Sequence, residues 1–237
     1  MSMLPWQGYW NKRNNGGHRR QEERFLQKEA REKLFHLEHG RSLLDFGCGS
    51  ADLLVYYTQN FSDVVGVDFS TSMLASAERR LEKFGVSDVT LIEADDRTMW
   101  EHLDGDTFDR ITSAGVIQCL DQDRLENFII QAQDRLSPEG SIVLFDGLDP
   151  RIYPLFHLGV INREARRGPG TAILAWKYSA MKAEMIRRTL RGLSEYTVGY
   201  AHHPQTIQEI AKRNGLSAEF VSSMYYEYRY HAILKGL

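Results

Sequence analysis

The sequence predicts an α/β protein with a doubly wound, mostly parallel sheet of seven strands, a hairpin at its C-terminal end and a helical insertion after the fifth strand. Three observations carry this. Short apolar runs of strand length alternate with segments of helical period from residue 41 to residue 146. The first run breaks at once into Gly47-Cys48-Gly49-Ser50-Ala51, and the second ends in Asp68. After Gly215, two further strand-like runs follow one another without room for a crossover helix.

Residues 1–20 carry Trp6, Tyr9 and Trp10, then a glycine-rich basic stretch that includes Arg19. A surface arm whose rings pack on the body accounts for them. From Gln21 to His39 the spacing of Phe25, Leu26, Ala30, Leu34, Phe35 and Leu37 is helical, with the charges expected on a solvated face, and Gly40 stops the helix.

Ser42–Phe46 reads as a buried strand, Asp52–Gln59 as a helix and Val64–Val67 as a second strand closed by Asp68. Strand, glycine turn, helix, strand and acid form the unit that holds an adenosine-containing ligand. The glycines let a ligand approach main-chain amides with no Cβ in the way. Asp68 follows Gly49 by nineteen positions, close to the spacing at which a carboxylate reaches a ribose diol. The turn departs from the dinucleotide fingerprint, because Asp52 stands where a third glycine would free the helix N-terminus for a pyrophosphate. With Asp45 adding negative charge on the same side, a ligand with a ribose, an ammonium group and no phosphate suits this field.

Ser70 is placed to cap a helix running to about Phe84, and Val89–Glu93 is a third strand. Asp95 and Asp96 follow, either as ligands or as caps of the turn at Arg97–Trp100. Phe108–Ser113 is the fourth strand and Ala114–Leu120 the loop behind it, at the point where the strand order reverses. Asp123–Leu136 reads as a helix, Pro138-Glu139-Gly140 as a turn and Ser141–Asp146 as the fifth strand. The pattern is interrupted over 147–200, with a second helix expected at Tyr178–Arg191. His202 and His203 precede a helix that starts at Pro204 and ends near Asn214-Gly215. Leu216–Met224 and Tyr228–Leu234 are the last two strands.

Leu43–Gly49 followed by Gly66-Val67-Asp68-Phe69-Ser70 resembles the first two motifs of class I S-adenosylmethionine-dependent methyltransferases of the small-molecule type. The similarity continues through Glu93-Ala94-Asp95 to Leu136–Gly140. It implies S-adenosylmethionine as cofactor, an antiparallel hairpin closing the sheet, and Asp95 on the adenine amino group. Asp45, Gly47, Cys48, Gly49, Phe69, Met73 and Asp96 would line the same crevice, with Ser113 and Ala114 at the methionine end. Tyr9 and Trp10 would form a flap, with Arg19 a candidate for the methionine carboxylate. An insertion after the fifth strand would build the acceptor pocket, here with Tyr153 and His157. Gln118 falls where relatives often carry a histidine, and an amide takes no proton at neutral pH. His202 or His203 is then the candidate general base if it faces the crevice; a turn role is the competing account.

The resulting expectation is one domain over 1–237: an N-terminal arm and helix (1–40), a cofactor-binding core (41–146), a lid (147–200), and a closing helix and hairpin (201–237). Hydrophobic content of 42% and charged content of 26% are those of a globular protein, and the net charge of −3 disfavours a nucleic-acid partner. Cys48 and Cys119 are too far apart in sequence to form a metal-binding pair, so no metal is expected. Two lone cysteines and an N-terminus without the apolar core of a signal peptide point to the cytoplasm, and no apolar run approaches a membrane span. The expected activity is in-line methyl transfer to an oxygen or nitrogen of a small molecule. Two alternatives stay open. One is methylation of RNA or protein, through a basic patch of Arg163, Arg166, Arg167, Arg187, Arg188 and Arg191. The other is cofactor binding without catalysis. Composition says nothing of oligomeric state.

Overall fold

A computed structural model of the chain describes residues 21–153, residue 155 and residues 199–237. The predicted lid helix at 178–191, the arginines of the basic patch, Tyr9, Trp10, Arg19 and His157 lie outside the described residues.

The order is α1 (Glu23–Leu37), β1 (Ser42–Phe46), α2 (Leu54–Tyr57), β2 (Asp63–Asp68), α3 (Thr71–Lys83), β3 (Val89–Glu93) and α4 (Met99–His102). Then come β4 (Phe108–Ala114), a 3₁₀ turn (Ile117–Cys119), α5 (Gln122–Gln133), β5 (Leu136–Leu148), α6 (Pro204–Arg213), β6 (Leu216–Ser222) and β7 (Arg229–Gly236). The seven strands lie in the order β3-β2-β1-β4-β5-β7-β6. Pairing is parallel from β3 to β5, and β7 enters antiparallel between β5 and β6. This is the doubly wound sheet with a closing hairpin, and the strand order reverses between β1 and β4.

Both faces of the sheet are covered, as near-continuous apolar strands require. Successive residues go to opposite sides: Leu44, Ile142 and Leu144 pack with Trp100, Phe128, Ile129 and Ile207 from α4, α5 and α6. Leu43, Val143 and Phe145 pack with Leu26, Leu54, Leu74 and Leu81 from α1, α2 and α3. Ser70 caps α3 as expected, its side chain accepting from Met73 N.

Several boundaries differ from the sequence reading. The helix after β1 is one turn, Leu54–Tyr57, rather than the full span from Asp52 to Gln59. α5 ends at Gln133, and Leu136 belongs to β5, where it pairs with Phe108 before the ladder resumes at Arg110 and Ser141. The intervening residues bulge, so the Pro138–Gly140 turn lies inside the strand. β5 also runs past Asp146 to Leu148, with a second break in its register against β7 between Leu144 and Gly147. Asp146 sits at that break with φ of +59°.

Candidate functional site

β1 ends at Phe46 and the chain turns through Gly47 at φ +75° and Gly49 at φ +56°. A Cβ at Gly47 would stand 2.3 Å from Val116, so only glycine fits between the turn and the loop behind β4. Gly47 N and Cys48 N both donate to Val67 O, at 2.7 and 3.0 Å, and tie the turn to the end of β2. Gly49 is different: among the described residues no neighbouring atom lies within 4 Å of the place its Cβ would take. The described residues therefore leave space above the second glycine.

Asp68 faces that space from the end of β2. Its Oδ2 accepts from Gly49 N at 3.0 Å and its Oδ1 from Ser70 N at 2.9 Å. Burial pushes its carboxyl up to about 6, and the backbone bonds only partly offset this. Asp45 and Asp52 are buried beside it, Asp52 accepting from Gln21 Nε2 at 3.1 Å. Burial first, then Asp68 and Asp45, raises the Cys48 thiol well above its ordinary value, so it stays protonated and is no nucleophile.

On the other side of the switch point, Ser113, one residue before the end of β4, is fully buried, and its Oγ finds no hydrogen-bond partner among the described residues. Ala114 is buried next to it. Phe69 is half-buried and Met73 buried, both at the start of α3. Asp45, Gly47, Cys48, Gly49, Asp68, Phe69, Met73, Ser113 and Ala114 are thus gathered at the carboxyl ends of β1, β2 and β4, as their strand positions imply.

The acids after β3 have protein partners. Asp95 Oδ1 accepts from Arg97 N, Thr98 N and Thr98 Oγ1 at 3.0 to 3.1 Å. Although burial acts the other way, these bonds hold its carboxyl below the usual range. The capping role weighed from sequence is therefore present. Asp96 is buried and gripped by Arg124 of α5, whose Nε donates to Oδ2 at 3.0 Å and whose Nη2 pairs with Oδ1. Both its oxygens bind this guanidinium, so it braces the crevice wall.

Each histidine has one ring nitrogen engaged with the backbone. His202 is buried, with Nε2 3.1 Å from Ile117 O and 2.9 Å from Leu120 O. Two carbonyl acceptors make that nitrogen a donor, so it takes no proton from an acceptor. Burial lowers its pKa further and keeps the ring neutral. His203 Nδ1 accepts from Gln205 N at 3.1 Å and caps α6. Nε2 of His202 is thus committed to the 3₁₀ segment, and Nδ1 of His203 to the helix cap.

Gln118 is buried, its Oε1 facing Arg229 Nη1 at 3.4 Å, and its carbonyl accepts from Tyr200 N at 2.6 Å. Tyr153 is buried with its ring 5.4 Å from that of Tyr228.

A polar cluster next to these residues was missed. Lys33 of α1, read as part of a solvated face, is fully buried, with Nζ 2.9 Å from Glu32 Oε2 and 3.0 Å from Asp146 Oδ1. His231 Nδ1 accepts from Asp146 N at 3.1 Å, which leaves the Nε2 proton facing Glu32 Oε1 at 3.2 Å. Burial opposes it, but His231 and then Lys33 hold the Glu32 carboxyl below its ordinary value. The available signal was phase: Leu26, Ala30, Lys33 and Leu37 fall on one stripe of α1.

Among the described residues no helix is long and apolar enough to cross a membrane, and no group of three His, Cys, Asp or Glu could hold a metal ion. Residues 43–140 match the family described as Methyltransferase domain. The chain is 33% identical over 114 residues to the cyclopropane-fatty-acyl-phospholipid synthase of Escherichia coli K12, covering 48% of this chain and 28% of that protein. It is 29% identical over 97 residues to the probable (S)-tetrahydroprotoberberine N-methyltransferase 2 of Papaver bracteatum, covering 38% and 26%. The chain thus spans little more than a quarter of these curated relatives. Similar solved folds include the DhpI-SAM-HEP complex, with TM-score 0.62, 14% identity and coverage of 97% and 95%. Another is the magnesium protoporphyrin IX methyltransferase ChlM of Synechocystis PCC 6803 with bound SAM, with TM-score 0.56, 14% identity and coverage of 91% and 79%.

Proposed function

We propose that this chain, whose residues 43–140 are a methyltransferase domain on a class I, Rossmann-like fold, binds S-adenosylmethionine and transfers its methyl group to an oxygen or nitrogen of a small-molecule acceptor. The observation that carries the reading is the open face of Gly49 next to the buried carboxylate of Asp68. A turn with no side chain above it, an acid at ribose-binding reach and further buried acids suit a cationic adenosine ligand without phosphate. Ser113 Oγ, buried and without a hydrogen-bond partner among the described residues, is a polar atom that such a ligand would satisfy. Similar folds solved with S-adenosylmethionine, and a relative named an N-methyltransferase, support the assignment.

S-adenosylmethionine supplies, when bound, a methyl group already activated by its sulfonium. The chain's own residues hold and align. Asp68 accepts from the ribose hydroxyls, Asp95 from the adenine amino group, and Ser113 with Ala114 contacts the methionine end. Asp45 and Asp52 keep the local field negative, which favours the cationic form over a neutral or anionic analogue. With Cys48 protonated, no covalent enzyme intermediate is offered at the turn. No base is assigned to the transfer: the acceptor's proton leaves to solvent, and alignment and exclusion of water supply the acceleration.

Titration calorimetry with S-adenosylmethionine and S-adenosylhomocysteine is the test, with NADH and ATP as comparators. Both sulfur nucleotides should bind. Folded protein that gives no heat with either would exclude the reading. A mass-spectrometric screen of metabolites for a gain of one methyl group then identifies the acceptor.

A further inference from the structure

We infer that Arg229 receives a carboxylate of the acceptor at the end of β5, so that the substrate class is carboxylic acids; this deepens the methyl-transfer reading and rests on it. Arg229 opens β7 in register with Leu148 and is 5% exposed. Its Nη1 donates to Asp146 O at 2.6 Å and faces Gln118 Oε1 at 3.4 Å, both of them uncharged acceptors.

Among the described residues no carboxylate forms an ion pair with this guanidinium. Two acids brought near it by the pairing of β7 with β5 are committed elsewhere: Asp146 turns its Oδ1 to Lys33, and Asp149 is paired with Arg151 at 2.7 Å. Arg229 Nε is buried and finds no hydrogen-bond partner among the described residues. A buried cation with neither counter-charge nor a full set of acceptors is costly, and sites of this kind are completed by an anion. Because the observed bonds use Nη1, the Nε edge is left, and that edge of the planar fork matches the two oxygens of a carboxylate.

Position agrees with chemistry. Gln118 lies in the loop behind β4 and Arg229 beside the end of β5, at the same carboxyl ends of the sheet that carry Ser113 and Ala114. An acceptor must come there to meet a methyl group delivered from the switch point. The rings of Tyr226 and Tyr228 stand 5.6 and 5.4 Å from the guanidinium, and Tyr153 continues this aromatic wall. A carboxylate with an apolar or aromatic body fits that lining.

Full-length protein loaded with S-adenosylhomocysteine is titrated, by ligand-observed NMR, with acetate, butyrate, benzoate and phenylacetate, each against its own amide. At least one acid should bind about tenfold more tightly than its amide, the scale of hydrogen bonds to a charged group. Arg229→Gln should abolish that preference while affinity for S-adenosylhomocysteine stays within about twofold. Acids and amides that bind alike, or a preference that survives in Arg229→Gln, would overturn the proposal. Should Arg229→Gln not fold, Arg229→Lys keeps the charge without the fork and should lose most of the preference; full retention there overturns it equally. Wild-type protein that binds no S-adenosylhomocysteine defeats the methyl-transfer reading, while the acid-against-amide comparison on cofactor-free protein still decides the role of Arg229.

Discussion

Asp68 joins the two halves of the nucleotide unit, because one carboxylate accepts both Gly49 N and Ser70 N. Burial raises its pKa to about 6 from an ordinary value near 3.8. In this window the folded state binds more protons than the unfolded one, so the contribution of Asp68 to stability is greatest below the unfolded value and declines as pH rises towards about 6. Ligand binding has the opposite sign, since the ionised carboxylate is the better acceptor for a diol. Affinity for S-adenosylhomocysteine should therefore fall as pH drops below about 6 in wild-type protein and stay flat across that window in Asp68→Asn, whose affinity at pH 7.5 should be about tenfold or more lower. Calorimetry at several pH values checks this, and a pH-independent wild type would remove Asp68 from the ribose site. The glycines separate in the same way. Gly47→Ala drives a methyl group against Val116 and should cost about 1–3 kcal/mol in urea unfolding. Gly49→Ala meets no neighbour and should cost about 1 kcal/mol, from its positive φ, yet weaken cofactor binding more than Gly47→Ala does.

Elements are held in place by side chains that a linear reading assigns to chemistry. His202, just ahead of α6, hydrogen-bonds two carbonyls of the 3₁₀ segment behind β4, and its own carbonyl accepts from Tyr230 of β7 at 2.7 Å. It fastens three elements around the acceptor side of the crevice. His202→Ala should cost about 1–3 kcal/mol of stability, with the pH dependence of turnover unaltered. A pH limb that disappears in this variant would restore the base assignment. Asp96 and Arg124 do comparable work between β3 and α5. Sequence spacing brought Asp96 to the right strand end, but its orientation depended on an arginine in a later helix.

Across the whole molecule, α1 is bound to the last strand by a buried ionic cluster. Lys33 bridges Glu32 and Asp146, and His231 of β7 closes the circuit. Since β7 inserts between β5 and β6, residues far apart in the chain become neighbours at the end of β5, where the break in register also places Asp146 at a positive φ. Lys33→Met would leave two buried carboxylates without their cation and should cost about 3–5 kcal/mol, read from the midpoint of urea denaturation. A change within about 0.5 kcal/mol would show that water reaches the cluster.

What the sequence by itself determined is local. Strand runs, the Ser70 cap, the positive-φ glycine turn and the acid nineteen residues beyond Gly49 depend on short-range periodicity and backbone sterics, and they stand where their patterns put them. The tertiary structure decided the pairs: Asp96 with Arg124, Lys33 with Asp146, His202 with the carbonyls of Ile117 and Leu120, and Arg229 with Gln118. A charged or imidazole side chain looks the same in sequence whether it meets solvent, a ligand or a partner. Its role follows from which distant residue the strand order brings within about 3 Å, the distance at which hydrogen-bond energies act.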